Sequence, residues 1–541
     1  MYRKRLSAIL LVIALTALAA CSGDDPDEAG ADDATDGAAD TTEAGADEGE
    51  PRQGGTLVLQ ANSEISSGMH PFESNDPGLM RIASGTVYSK LVEFATGDDV
   101  DGLEVVGDLA EDWEISEDGL TYTFALRDDV VWHDIPPVSG RPFVADDVVA
   151  TFMGLKEQEG LHAWMFASVD TVEAVDEHTV TFNLNEPFAP LLEYLAYHFN
   201  MIVPREGVDG EFDLATEAIG TGPFMVAEHT PDTEWVLERN PDYFVDGLPY
   251  VDELRMPIVT DTAAMTAAMR SGRLDIGLTT DSSVVDELTA SDELSAVSAQ
   301  GAVVSFYMNP TVEPFDDLDV RRAVMMAIDW DGMGESIRGD YNLTSLIRQD
   351  IGDAALPQDE VRELRPYDPE AARELLAGAG LEDGFSTTLT VQRVDEEDVR
   401  EAQWIAQDLA EVGIDAEIEV IDPGTGIDRR RNHQFEITKA LRGTHLPDQV
   451  FRDFDPESLE NYTQVDDEMV NSMVAEARAT TDDAERNEIY RELQRYFETE
   501  LVTAIHPLQK YDYFVFNTRV HNVQMSPIYQ GRRWAEVWVD E

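Results

Sequence analysis

Cysteine is almost missing from this chain: Cys21 carries the only thiol in 541 residues. No internal disulfide can form, so the fold must hold by its core alone. Lysine is nearly as scarce, and Lys4, Lys90, Lys156, Lys439 and Lys510 are the whole set. Against 37 basic residues stand 110 acids, a formal net charge of −73. No basic face is left to neutralise phosphates, which excludes nucleic acid as a partner. Long apolar runs are absent as well, and no later stretch supplies the roughly 20 residues a membrane-spanning helix needs. Neither G-x-S-x-G nor H-E-x-x-H occurs, and there is no P-loop. A nucleophile elbow, a zincin site and an ATPase site are thereby excluded, and no enzyme activity is expected.

What is present begins at the amino end. Arg3, Lys4 and Arg5 precede an apolar stretch at 6–20, too short to span a bilayer. A basic start, a short apolar centre and small residues before a break describe a secretory signal peptide at 1–20. Leu18-Ala19-Ala20-Cys21 resembles the bacterial lipobox. Cys21 is therefore expected to become the lipid-bearing amino terminus, held to the membrane by its acyl chains. Residues 22–50 hold 12 acids and no bases. Such a segment cannot bury enough surface to offset its ordering entropy, so 21–53 reads as an anchor followed by a disordered acidic tether.

The leader contributes +3 and residues 22–50 contribute −12, so the remaining −64 of the −73 lies on residues 51–541. A body this acidic repels itself at low salt, and counterions screen it over about 3 Å at 1 M. The reading that follows is a solvated surface adapted to saline surroundings.

About 490 residues follow the tether, enough for two or three domains. GTLVL at 55–59 and TYTFAL at 121–126 read as strands. Helices are expected at 321–328, 369–379 and 400–412. In the last, Ala402, Ile405, Leu409 and Val412 share one face. Asp368 before Pro369 is an N-cap followed by proline at the first helical position. A strand, helix, strand succession over 387–420 is a βαβ unit, which makes the class α/β with a parallel or mixed sheet.

Seven phrases then occur in a familiar order: GDLAEDWEISEDGLTYTFALRDDVVWHD at 107–134, FVADDVVATF, IGTGPF, LERNPDYFVDGLPYVDELR, SGRLDIG, PFDDLDVRRAVMMAIDWDGM and YDPEAARELLAGAGL. With GGTLVLQ before them, the chain resembles the extracytoplasmic solute-binding proteins of ABC importers, family 5, which includes peptide and nickel binders. The resemblance implies a two-lobed periplasmic-binding-protein-like fold of type II, with ligand enclosed between the lobes. Lobe I would combine 54–84, 216–298 and 508–541; an extra subdomain would occupy 85–215, and lobe II 299–507. It also implies a monomer without cofactor, an ABC permease and ATPase as partners, and an extracytoplasmic location. A ligand-sensing receptor of the same fold is the alternative.

Several phrases have structural readings. Gly220 and Gly222 in IGTGPF permit backbone geometry that a side chain would forbid. Arg321 and Arg322 are expected to brace their helix. Ligands of open α/β sheets sit on loops beyond strand ends, and three such loops are readable. The first contains Met69, His70 and Phe72. A second begins at Gln392-Arg393, and the third runs through Arg442, Gly443, Thr444 and His445 to Pro447. Peptide-binding relatives usually place an aspartate before this proline to hold the ligand's α-amino group. Here no acid occurs until Asp448. Asp448 or Glu64 could substitute, or Arg393 and Arg442 could instead favour an anionic ligand, since guanidinium binds carboxylates bidentately. His70 and His445 are not expected to hold a metal. An oligopeptide or dipeptide is the leading ligand; an anionic metabolite, oligosaccharide or metal chelate is the alternative.

Overall fold

The computed structural model describes residues 50–65, 68–74, 76–97, 100, 103–393, 396–443, 446–524 and 534–540. Cys21, the signal, all but the last residue of the acidic stretch 22–50, and Thr444 and His445 lie outside the described residues.

Three sheets organise the chain. The first takes the strand Thr56–Val58, inside the expected 55–59, and pairs it in parallel with Glu253–Pro257; Glu234–Arg239 and Phe224–Thr230 follow antiparallel. The second is a four-stranded antiparallel sheet inserted in sequence between strands of the first, in the order Ala110–Ile115, Thr121–Leu126, Thr179–Leu184, Val169–Asp176. Along Thr121–Leu126, Tyr122, Phe124 and Leu126 are buried while the intervening residues are not, the period-2 alternation of a half-buried strand. Phe124 and Phe152 both meet Phe182 edge-on, at 5.5 and 5.1 Å, and so seat the helix Ala145–Glu157 on this sheet. That helix begins with an acid in place, because Asp147 accepts the backbone N–H of Val144 at 3.1 Å.

The third sheet is large and mixed. Its order is Ile276–Thr279, Ala504–Asn517, Leu294–Met308, Ile437–Arg442, Phe385–Gln392, Ile414–Ile421. The expected βαβ unit is there: Phe385–Gln392 and Ile414–Ile421 pair in parallel through all eight residues, with the helix Glu396–Glu411 between them. Its predicted face is the buried one, with Ala402, Ile405 and Leu409 fully covered and Val412 5 % exposed just beyond the last turn. The helix Pro369–Gly378 starts as its sequence requires, with Asp368 accepting from the N–H of Ala371 at 2.9 Å.

Two strands of this sheet are far longer than the rest. Leu294–Met308 has 15 residues and Ala504–Asn517 has 14, and they pair antiparallel along nearly their whole length. The register runs unbroken from Leu294↔Asn517 to Gln300↔Tyr511, shifts, and resumes at Val303↔Gln509. Such a shift bends a strand and raises its twist. On one side of it the ladder is flanked by Ile276–Thr279, which also bridges Leu59 after the first strand. On the other side it is flanked by Ile437–Arg442 and the βαβ unit. The long pair is thus the continuous link between two α/β bodies.

The hydrophobic core divides accordingly. One cluster unites the first and inserted sheets around Trp132, Phe152 and Trp534. A second lies under the helices of the large sheet around Phe306, Trp330 and Ile405. In the phrase IGTGPF the glycines are required by close approach: a Cβ on Gly220 would lie 1.8 Å from the carbonyl oxygen of Val87, and one on Gly222 2.4 Å from that of Thr86. Arg321 and Arg322 do brace their helix, donating to the carbonyls of Leu501 at 2.8 Å and Thr499 at 3.1 Å. Among the described residues no helix is long and apolar enough to cross a membrane.

Candidate ligand-binding site

The first expected loop leaves the strand Thr56–Val58 and turns under the inserted sheet. Met69 and Phe72 are buried, 4 and 2 % exposed. Met69 donates its N–H to Ala215 at 3.0 Å, and the carbonyl of Phe72 accepts from Leu161 at 2.8 Å. Half-buried His70 accepts the N–H of Phe72 on Nδ1 at 3.2 Å and meets its ring edge-on. This loop is therefore packed into the inserted sheet's body. Glu64, earlier on it, is saturated: it accepts from Trp235 Nε1 at 3.0 Å and from the N–H of Asp232 at 2.8 Å, and lies 3.2 Å from His229. Burial alone would raise its carboxyl, but these donors hold it below the ordinary value.

At the second loop Gln392 is buried and accepts from Arg430 at 2.8 Å, while Arg393 is exposed and pairs with Glu396 one turn on. At the third, Arg442 ends its strand with its guanidinium donating to the Tyr307 hydroxyl at 3.1 Å and paired with buried Asp453. Gly443 beyond it is exposed. Asp448 is 1 % exposed; it accepts from Arg478 Nε at 2.7 Å and from the Tyr194 hydroxyl at 2.9 Å. Thus the structure brings together Arg442, Tyr307 and the loop start at Gly443, and leaves Arg393 apart on the surface. Both arginines are already matched with carboxylates, and both acids considered for an ammonium, Glu64 and Asp448, are already engaged.

The Tyr194–Asp448 bond crosses between bodies, because Tyr194 follows the inserted sheet and Asp448 belongs to the body of the βαβ unit. More contacts run beside it. The N–H of Ala189 donates to the carbonyl of Arg478 at 2.7 Å, Arg486 approaches Glu193 at 3.4 Å, and Arg452 stacks on Trp164 with its guanidinium 3.7 Å from the ring centre. Burial pushes the Glu193 carboxyl up to about 7; Arg486 opposes this, and Asp448 and Asp483 add to it.

Where the long strands break register, a second group of side chains converges. Arg348 is 2 % exposed and pairs with Asp350 at 2.7 Å; Asp350 also accepts from Gln509 at 2.9 Å. His506 is fully buried with Nδ1 3.3 Å from the carbonyl of Leu346, and burial followed by the nearby Arg442 charge pushes it down to about 3, so it is neutral at physiological pH. Asp512 projects beside Gly301 at the break, half-buried. Burial pushes its carboxyl up, while Arg81 from the first sheet's body, Lys510 and Arg348 pull it back down. The sequence reading missed Asp512, Arg81, Arg348 and Lys510. One signal was available: KYDYFVF at 510–516 places an acid inside an otherwise aromatic strand.

The sequence profile of the bacterial extracellular solute-binding proteins, family 5 Middle, matches residues 104–451. The dipeptide-binding protein of Escherichia coli is 30 % identical over 76 % of this chain and 82 % of its own length. Di/tripeptide-binding protein 1 of Pseudomonas aeruginosa is 29 % identical over 82 % of this chain and 87 % of its own. Among solved structures, the periplasmic binding protein DppA from Helicobacter pylori, in complex with the peptide STSA, superposes with a TM-score of 0.75 at 24 % identity, covering 91 % of this chain and 99 % of that one. The α/β bodies joined by the long strand pair are therefore the two lobes of a periplasmic-binding-protein fold. The chain belongs to the bacterial extracellular solute-binding proteins of family 5.

Proposed function

We propose that this chain is the solute receptor of an ABC importer, that it captures a short peptide between its lobes, and that it hands the closed complex to a membrane permease coupled to an ATPase. The observation that carries this reading is the register break of the two long strands that link the lobes, where Asp512 stands beside Gly301 and the Arg348–Asp350 ion pair, 2.7 Å long, takes a hydrogen bond from Gln509. A molecule with a charged group at each end is suited to such a place, and relatives similar over three quarters of the chain or more are peptide binders by name. The mechanism is capture and release, without chemistry: closing the lobes withdraws the ligand from water, and the partner reads the closed form. Lobe I would comprise 54–84, 216–298 and 508–541 with the subdomain 85–215, and lobe II 299–507. Of the expected contact residues, half-buried His70 and exposed Gly443, with Thr444 and His445 next to it in sequence, would reach the ligand, while buried Met69 and Phe72 would hold the His70 loop against the inserted sheet. Arg393 and Arg442 would serve mainly as partners of Glu396 and Asp453. Cys21 would carry lipid, and the stretch 22–50 would hold a monomeric receptor off the membrane.

The test uses residues 51–541 purified in high salt, then denatured and examined by mass spectrometry for released small molecules. Short peptides are expected. A sugar, an anionic metabolite or a metal chelate would sink the peptide reading.

A further inference from the structure

Where the two lobes share the strand Ala504–Asn517, one of its edges is incomplete. Ile276–Thr279 of one lobe pairs along that edge as far as Tyr513, and Asn342–Leu343 of the other begins at Gln509. Among the described residues, 510–512 pair with neither of these strands, which leaves a notch at the junction. A cavity of about 320 Å³ opens there, lined by Ser298, Gly339, Asp340, Tyr341, Tyr511 and Tyr513. Tyr511 and Tyr513 share one face of the strand, with ring centres 6.1 Å apart. The cavity has no lining residue in common with the three loops or with the Arg348–Asp350 pair.

The rings are held in place by contacts of their own. Tyr513 donates its hydroxyl to Asp340 at 2.8 Å, and Tyr341 donates to Asp331 at 2.9 Å. Tyr341 also lies on the helix Trp330–Ile337, since a Cβ on Gly334 would come 2.7 Å from its ring. Gly339 makes the turn that delivers Asp340, at a φ of +73° that side chains rarely adopt. Burial and then Asp331 push the Tyr341 hydroxyl up to about 12, and burial and then Asp340 push that of Tyr513 up as well. Both stay neutral phenols, and donating to a carboxylate makes each ring richer in electrons.

The lining selects by charge, because it contains one acid and no base. Arg338 and Arg362, near it in sequence, are committed to Glu401 and Asp331. An anion therefore finds no partner in the notch. A metal ion wants several oxygen ligands, whereas the single lining carboxylate already serves Tyr513. A cation whose charge lies under alkyl groups is suited instead, since it sheds little water and is attracted to aromatic rings. We propose that this notch binds a small alkylammonium ion, held against the rings of Tyr341, Tyr511 and Tyr513 with Asp340 as its counter-charge.

The experiment is calorimetry of the purified protein in high salt with two probes, choline and dimethylbutanol. The second has the shape of the first, with carbon in place of the charged nitrogen. Choline should bind saturably, and the alcohol at least about tenfold more weakly. Asp340→Asn keeps an acceptor for Tyr513 but removes the charge; it should weaken choline about tenfold and leave the alcohol unchanged. Tyr511→Leu, which leaves Asp340 and both acid-bonded tyrosines in place, should weaken choline at least as much. No saturable choline binding overturns the proposal, as does equal binding of choline and the alcohol. Choline binding untouched by both variants lies elsewhere on the molecule and also overturns it. Binding of trehalose in place of choline would make the notch a sugar platform, and overturns it equally. None of these outcomes depends on what the cleft carries.

Discussion

At the scale of single residues, the most telling fact is where the few lysines went. Lys90 and Lys439 are completely buried and Lys510 is 6 % exposed. Lys439 lies between Asp398 and Glu401, 2.6 Å from the latter, and Glu401 in turn accepts from Arg338 at 2.6 Å. All three of Lys439, Asp398 and Glu401 are out of water. Removing one member of such a group strands the others, at a cost of about 3–5 kcal/mol. Lys439→Met should therefore lower the unfolding free energy by about 3 kcal/mol or more, read from the denaturant midpoint at unchanged slope. The sequence disclosed that lysine was rare but not that it was internal, because the Lys439 partners Asp398 and Glu401 lie 41 and 38 residues back along the chain. A local pairing was legible: the cap at Asp368 follows from neighbouring residues and backbone rules alone, whereas the carbonyls that Arg321 and Arg322 reach, on Leu501 and Thr499, lie far along the chain. Asp512 escaped because nothing within its own strand says which face looks toward the register break.

At the scale of elements, the short helices Leu191–Ala196 and Pro447–Arg452 work as a clasp between lobes. The Tyr194 hydroxyl on one meets Asp448 on the other, and Arg478 completes the ion pair. A hydrogen bond to a charged group contributes about 1.5–3 kcal/mol. This one exists only while the lobes touch, so Tyr194→Phe should accelerate ligand dissociation roughly tenfold and leave association nearly unchanged, measured by stopped flow. Glu193 beside it adds a pH dependence. Its carboxyl is raised to about 7 in the assembled contact by burial, against Arg486 and with Asp448 and Asp483. An acid raised on closing takes up a proton as the lobes meet. The penalty on closure is absent below about pH 4.5, grows as pH rises, and is complete above about 7. Dissociation should be slower at pH 5 than at pH 7.5, and Glu193→Gln should flatten the difference. Helices and strands were readable from periodicity and caps, and the βαβ unit with them. The clasp was not, because Tyr194 and Asp448 are 254 residues apart and each looks locally like an ordinary helix residue.

At the scale of the whole molecule, charge and topology dominate. With a formal charge of −73, self-repulsion works against any compact state until counterions screen it. The thermal midpoint of residues 51–541 should rise steadily between about 0.1 and 2 M salt; a flat response would remove the saline-adaptation reading. Fold class and family were legible in the sequence because seven ordered phrases span most of the chain, whereas the sharing of one ladder by both lobes was not. That ladder joins segments separated by about 200 residues, from Leu294↔Asn517 to Tyr307↔Ala504. Contacts so distant in sequence form slowly. They also impose an order of manufacture. Until the ribosome has passed residue 517, the large sheet lacks the strand against which Ile276–Thr279 and Leu294–Met308 both lie. A nascent chain that cannot yet close its central sheet stays threadable, which is the state in which an exported polypeptide must pass through a translocation pore.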